Sequence, residues 1–221
     1  MTASGATIGA MAGARTPYPE AARKLLRETF FGAARDALQE RAWSEITMSD
    51  IAGAAGVSRQ TLYKEFGSRD EFAQAFVIHE GEHFLSGVED AVREHLDDPR
   101  AAVGGALELF LRSASEDPLI HVLLSDDGTG GMLPFVTTQG TPVLEWATQR
   151  LTAAIQEGWP GAPEAETRLL AESLVRLAIS YVTAPSGSPE TTAESVVALL
   201  GPYIDRALGA PASAGRTSPT P

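Results

Sequence analysis

Arg59, Gln60, Thr61 and Lys64 fall on what reads as one short helix. Their polar groups point away from Leu62 and Phe66, an apolar pair at i and i+4, so a donor-rich outer face rests on a buried inner edge. A helix of that kind suits the DNA major groove, where base edges offer hydrogen-bonding atoms to side chains. The ordinary alternative is a solvated face of a surface helix. A second constellation, His79-Glu80-x-x-His83, sets two imidazoles four residues apart with a carboxylate after the first. That is the spacing of a zinc peptidase helix. No third ligand follows on a fitting helix, and both histidines share a face with Phe72 and Phe76. The face is therefore expected to pack against the preceding helices, with a regulatory or catalytic metal as the alternative.

The elements that hold the first constellation are legible locally. Thr47 is a natural N-cap, and Asp50 three residues on completes a capping box. Ile51, Ala52 and Ala55 form the inner face of a short helix. Gly56 stands where that helix must end in a left-handed residue. Val57 fills the angle that follows, and Ser58 caps the next helix. Residues 47–66 thus have the layout of a helix-turn-helix. Upstream, a helix is expected over about 20–40, with Leu25, Leu26, Thr29, Phe30, Ala33, Ala34, Ala37 and Leu38 as its apolar stripe. Trp43 and Ile46 lead from it into the motif.

Downstream, Ser68-Arg69-Asp70-Glu71 is a further capping box, opening a long helix expected to reach about residue 96. Its apolar face rotates midway. Phe72, Phe76, His79 and His83 share one side, whereas Leu85, Val88, Val92 and Leu96 lie nearly opposite. One helix packed on two bodies has that pattern. Beyond Pro99, helical segments are expected at about 100–116, 118–126, 141–158, 163–184 and 189–208, with no period-two strand. Gly104-Gly105 weakens its helix, which points to a close helix approach or to room for a ligand. Asp126-Asp127-Gly128-Thr129-Gly130-Gly131 has no Lys and follows no strand, so it reads as a flexible loop rather than a phosphate cradle. Residues 1–17 and 209–221 are rich in small residues and Pro and are expected to be disordered tails.

A net charge of −12 is unusual for a DNA binder, yet its distribution is uneven. Residues 1–69 hold nine Lys and Arg against seven Asp and Glu, and residues 70–221 hold eight against twenty-two. The acidic remainder would repel DNA from every surface but the N-terminal end. The chain contains no Cys, which excludes disulfides, thiolate metal sites and thiol nucleophiles. No Ser/His/Asp or paired-carboxylate spacing argues for an enzyme. With no apolar run of membrane-spanning length and no signal-peptide layout, a cytoplasmic protein without membrane contact is expected.

Ile51-Ala52-x-x-Ala55-Gly56-Val57-Ser58, followed by Thr61-Leu62-Tyr63-x-x-Phe66 and Ser68-Arg69-Asp70-Glu71, resembles the TetR family of bacterial transcriptional regulators. The resemblance implies an all-α fold of about nine helices. A DNA-binding domain would span 18–68 and a ligand-binding and dimerisation domain 69–208. Arg59, Gln60, Thr61 and Lys64 would then face bases or nearby phosphates. Thr47, Ser58 and Tyr63 would hold phosphate oxygens, helped by the helix start at Ser68-Arg69. The resemblance also implies a homodimer through helices 163–184 and 189–208, an inverted-repeat operator in double-stranded DNA, and repression relieved by a small-molecule effector. For the effector pocket it points to Leu107, Phe110, Leu111, Leu124, Phe135, Trp146 and Tyr181. Few polar groups lie nearby (His121, Thr137, Thr138, Gln139 and Arg150), which favours an apolar or amphipathic effector, of fatty-acyl or hydrocarbon type. No cofactor is implied. A ligand-independent DNA-binding regulator is the alternative within the class, and a metal enzyme using His79, Glu80 and His83 the alternative outside it.

Overall fold

The structure, a computed structural model, describes residues 18–124 and 131–209. Among these the chain is all-α, with nine α-helices, two single 3-10 turns and no strand. Helices α1 (Tyr18–Glu40), α2 (Met48–Ala54) and α3 (Arg59–Phe66) pack with the first half of α4 (Arg69–Arg93). Then follow α5 (Pro99–Glu116), α6 (Pro118–Leu124), α7 (Thr141–Gly158), α8 (Glu164–Thr183) and α9 (Pro189–Leu208). The expected tails lie outside the described residues, except for Gly209. So does the Asp126–Gly130 loop.

Two apolar cores divide the molecule, and α4 belongs to both. The first buries Phe30, Phe31, Leu62, Phe66, Phe72 and Phe76. The second buries Leu85, Val88 and Val92 with side chains of α5, α7, α8 and α9. The rotation of the apolar face along α4 is therefore real, and it falls at Gly81. A Cβ on Gly81 would stand 3.0 Å from the Trp146 ring, so the glycine lets α7 approach α4 closely. At Gly104 the approaching group is Val197 of α9, 3.2 Å from an added Cβ, while Gly105 faces open space. Close helix approach thus accounts for the first glycine of that pair.

Three expectations need correction. Leu25 is 70% exposed and Thr29 is exposed too, whereas Phe31 is buried. The buried face of α1 is thus turned toward Phe31, because the partners that cover it, Phe66, Phe72 and Phe76, lie on α3 and α4. Helix α4 ends at Arg93 rather than near 96, and Leu96 is 42% exposed. Asp98 caps α5 by accepting the Arg100 and Ala101 amides, with Pro99 at the first helical position, so the chain must turn before it. Finally, a 3-10 turn at Leu133–Phe135 supplies a short element the spacing did not suggest.

Gly56 has φ +70°, with nothing within 4 Å of an added Cβ. Its role is conformational alone. Gly56→Val is expected to lower stability by about 1–3 kcal/mol through backbone strain. Gly56→Asn, tolerated better in this region, should lose less in the same urea melt. Equal losses would contradict this account of the turn.

Candidate DNA interface and ligand cavity

The two caps that frame the turn form as their residues dictate. The Thr47 hydroxyl oxygen accepts the Asp50 amide at 3.2 Å, and the Asp50 carboxylate accepts the Thr47 amide at 2.8 Å and its hydroxyl at 2.7 Å. The hydrogen bond from the Thr47 backbone, then that from its side chain, holds the Asp50 carboxyl below the usual carboxylate range. The Thr47 hydroxyl proton is thus committed to capping. Ser58 accepts the Thr61 amide at 3.2 Å and shares a 2.9 Å hydrogen bond with the Thr61 hydroxyl.

On α3, Leu62 and Phe66 are buried, Arg59, Gln60 and Lys64 are exposed, and Thr61 and Tyr63 are half-buried. The Arg59 guanidinium lies over the Tyr63 ring, 5.1 Å from its centre, and donates to the Tyr63 hydroxyl at 3.4 Å. This i,i+4 pair lines one side of the exposed face. Arg69 is placed differently from the rest. Its guanidinium stacks on Trp43, 4.7 Å from the ring centre, and donates to the Trp43 carbonyl. Its side chain is thus tied to Trp43 rather than pointing out with the others.

A clamp that the sequence did not reveal holds α3 in place. Arg23 and Arg27 of α1 each donate to Glu65 at 2.9 Å, and Arg27 also lies 4.5 Å from the Phe66 ring centre. Burial pushes the Glu65 carboxyl up, but the bonds from Arg27 and then Arg23 outweigh it and leave it below its ordinary 4.5. A depressed carboxyl stabilises the fold above its unfolded value and loses that contribution as pH falls through the folded one. Wild type should therefore lose stability below pH 4.5 more steeply than Glu65→Gln, measured by parallel thermal melts. Coincident pH profiles would contradict the clamp.

The His79-Glu80-x-x-His83 segment sits at the junction of the two cores. His79 stacks on Phe31, with ring centres 4.5 Å apart, and its Nε2 lies 3.4 Å from a Glu28 oxygen. Glu80 is buried and ion-paired with Arg35 of α1. The His83 side chain lies outside the described residues. Among the described residues no group of three metal-type ligands comes together. His79 packs against α1, as its apolar neighbours suggested.

Between α4, α5, α7 and α8 lies a cavity of ≈ 160 Å³. Its wall is almost wholly apolar, and Glu80 alone carries charge among the described lining residues. Leu107, Phe110 and Trp146 line it. Leu111 and Tyr181 line an adjoining cavity of ≈ 290 Å³ toward the end of α8. Phe135 lines neither and is buried in the first core, because the 3-10 turn carries it toward α4. The side chains of Leu124 and His121 lie outside the described residues. Thr137, Thr138 and Gln139 are exposed, and Arg150 is tied to Glu89 at 2.6 Å. Gly81, Glu80 and Val182 are lining residues that helical spacing did not single out. A glycine placed where the α4 face rotates was the one available signal.

A helix-turn-helix with an exposed polar second helix, fused to an all-helical body with an apolar cavity, defines a class: DNA-binding transcriptional regulators. Sequence comparison agrees and sharpens it. Residues 31–76 match the profile of bacterial regulatory proteins of the tetR family, and residues 98–202 that of the bacterial tetracyclin repressor C-terminal domain. The HTH-type transcriptional regulator AlkX of Mycobacterium tuberculosis (strain ATCC 25618 / H37Rv) is 36% identical over 171 residues, 77% of this chain and 81% of that protein. The HTH-type transcriptional regulator EthR of Mycolicibacterium smegmatis is 30% identical over 81 residues, 37% of each chain. Among solved structures, the TetR family repressor AlkX from Dietzia sp. strain DQ12-45-1b, implicated in biodegradation of n-alkanes, aligns with a TM-score of 0.70 at 36% identity. That match covers 82% of this chain and 96% of that one. The chain belongs to the TetR family of bacterial transcriptional regulators. Among the described residues no helix is long and apolar enough to cross a membrane.

Proposed function

We propose that this chain is a homodimeric repressor whose grip on an inverted-repeat operator is released by a small apolar or amphipathic effector. The apolar cavity carries the reading. It lies in the second core, its wall includes Gly81 and Glu80 of α4, and α4 is the helix that also enters the first core. Residues 18–68 would read DNA and residues 69–208 would sense and dimerise. An effector that fits one arrangement of α4 against α7 better than another shifts the population toward it. The spacing of two α3 helices across a dimer would shift with it. Leu169 of α8 and Leu199 of α9 are 54% and 71% exposed, which supports those helices as the dimer face. The n-alkane connection of the Dietzia AlkX supports a hydrocarbon-like effector here.

Arg59 and Gln60 are proposed to read bases, an Arg fork suiting guanine and a Gln amide suiting adenine. Lys64, Thr61, Ser58 and Tyr63 are proposed to hold phosphates or bases beside them. The test selects duplexes from a random pool with the purified protein, then follows the complex by anisotropy and sedimentation while decane, decanol and decanoate are titrated in. Selection of an inverted repeat bound by a dimer, and its release by at least one of the three, is the expected result. A selected duplex that none of them releases would favour the ligand-independent regulator.

A further inference from the structure

The two cavities adjoin. Ala114 and Ile120 near the α5–α6 junction, and Val182 and Thr183 at the end of α8, line both. The inner one is apolar. The outer one adds Ser115, Tyr181 and Thr192, together with the α8–α9 connection at Pro185, Gly187 and Pro189. Thr192 is only 7% exposed, and its hydroxyl has no hydrogen-bond partner among the described residues. The Tyr181 hydroxyl, on a half-buried side chain, has none either. By contrast, the Thr183 hydroxyl donates to the carbonyls of Ile179 and Ser180, and Ser115 donates to Arg112. Two hydroxyls able both to give and to accept therefore line one pocket.

No Lys, Arg, His, Asp or Glu is among the described residues that line the outer cavity. An ionised head would find no opposite charge on those residues, whereas a neutral one needs none. A neutral hydroxyl head can donate to one of these hydroxyls and accept from the other, so both take part in holding it. We infer that the effector is a neutral amphiphile, an alcohol of an unbranched hydrocarbon. Its chain lies in the inner cavity and its hydroxyl is held between Tyr181 and Thr192. The inference rests on the proposal that the cavity is the effector site. It adds the class of head group, the orientation of the ligand, and two residues that set specificity.

Titration of the full-length protein with decanol, decanoate and decane, followed by the emission of Trp146 in the cavity wall, tests it. Decanol is expected to bind more tightly than decanoate at neutral pH. Tyr181→Phe and Thr192→Val each remove one hydroxyl with little change of shape. Each should weaken decanol by about fivefold, the equivalent of one ordinary hydrogen bond. Decane affinity should stay unchanged, which shows that the cavity is intact. Decanoate binding more tightly than decanol, or decanol affinity indifferent to both substitutions, would overturn the inference while leaving the cavity as an effector site. Failure of all three probes to bind would overturn the site and the inference together.

Discussion

Phe72→Ala is expected to destabilise the protein by about 3–5 kcal/mol, the range for removing a fully buried aromatic ring. Phe72 is wholly buried in the first turn of α4. Its ring meets Phe66 edge-on at 4.9 Å and stacks near Trp43 at 6.2 Å and Phe76 at 6.4 Å, with Phe31 at 5.8 Å. Those partners come from α1, α3, α4 and the turn at 43–45, so one side chain joins α3 to most of what surrounds it. Because the second core shares none of these contacts, the damage should be local. Hydrogen exchange should show protection falling across residues 48–66 while amides of α8 and α9 keep theirs, and duplex binding should fall with the former. A loss below 1 kcal/mol, or equal loss of protection in both cores, would contradict the division of the molecule into two cores.

The second large effect concerns Arg35 and Glu80. Removing Arg35 breaks the ion pair that the Glu80 carboxylate, 5% exposed, makes with α1. Breaking a buried ion pair by removing one partner costs about 3–5 kcal/mol, and the lower end applies here because the Arg35 side chain is 41% exposed and already partly screened by water. Arg35→Ala should therefore cost about 3 kcal/mol in a urea melt. Glu80→Gln should cost less, since it removes the buried charge along with the pair. The double variant should be more stable than Arg35→Ala alone, and a double-mutant cycle reads that coupling directly. Strict additivity would show that the pair carries no coupling. Glu80 also lines the cavity, so this ion pair links the cavity wall to α1.

The parts of this architecture written in short-range chemistry were legible in the sequence. Caps at Thr47 and Ser58, the left-handed Gly56 and the i,i+4 pair Leu62/Phe66 each depend on neighbours within a few residues, and each forms as expected. The rotated face of α4 was legible for the same reason. What spacing could not supply was the partner on the far side. Periodicity put Leu25 in the α1 stripe, but the rings of α3 and α4 cover Phe31 instead. The resemblance put Arg69 at a phosphate-facing helix start, but the fold stacks its side chain on Trp43. Cavity lining is the extreme case. Leu107 and Tyr181 lie on equally apolar helical faces, yet they line different cavities because of how α5 and α8 cross. Ion pairs as distant in sequence as Arg35–Glu80 and Arg23–Glu65 leave no local trace.

If α3 reads DNA as proposed, its exposed side chains divide the work. Anisotropy on a selected duplex and on a scrambled one, across a salt series, measures this for wild type, Lys64→Ala and Gln60→Ala. Lys64→Ala should weaken both duplexes alike and reduce the salt slope by about one. Gln60→Ala should leave the scrambled duplex unaffected and weaken the selected one by about 1–3 kcal/mol, the value of one good base contact. If both variants bind both duplexes as wild type does at every salt concentration, α3 is not the reading element and the account fails.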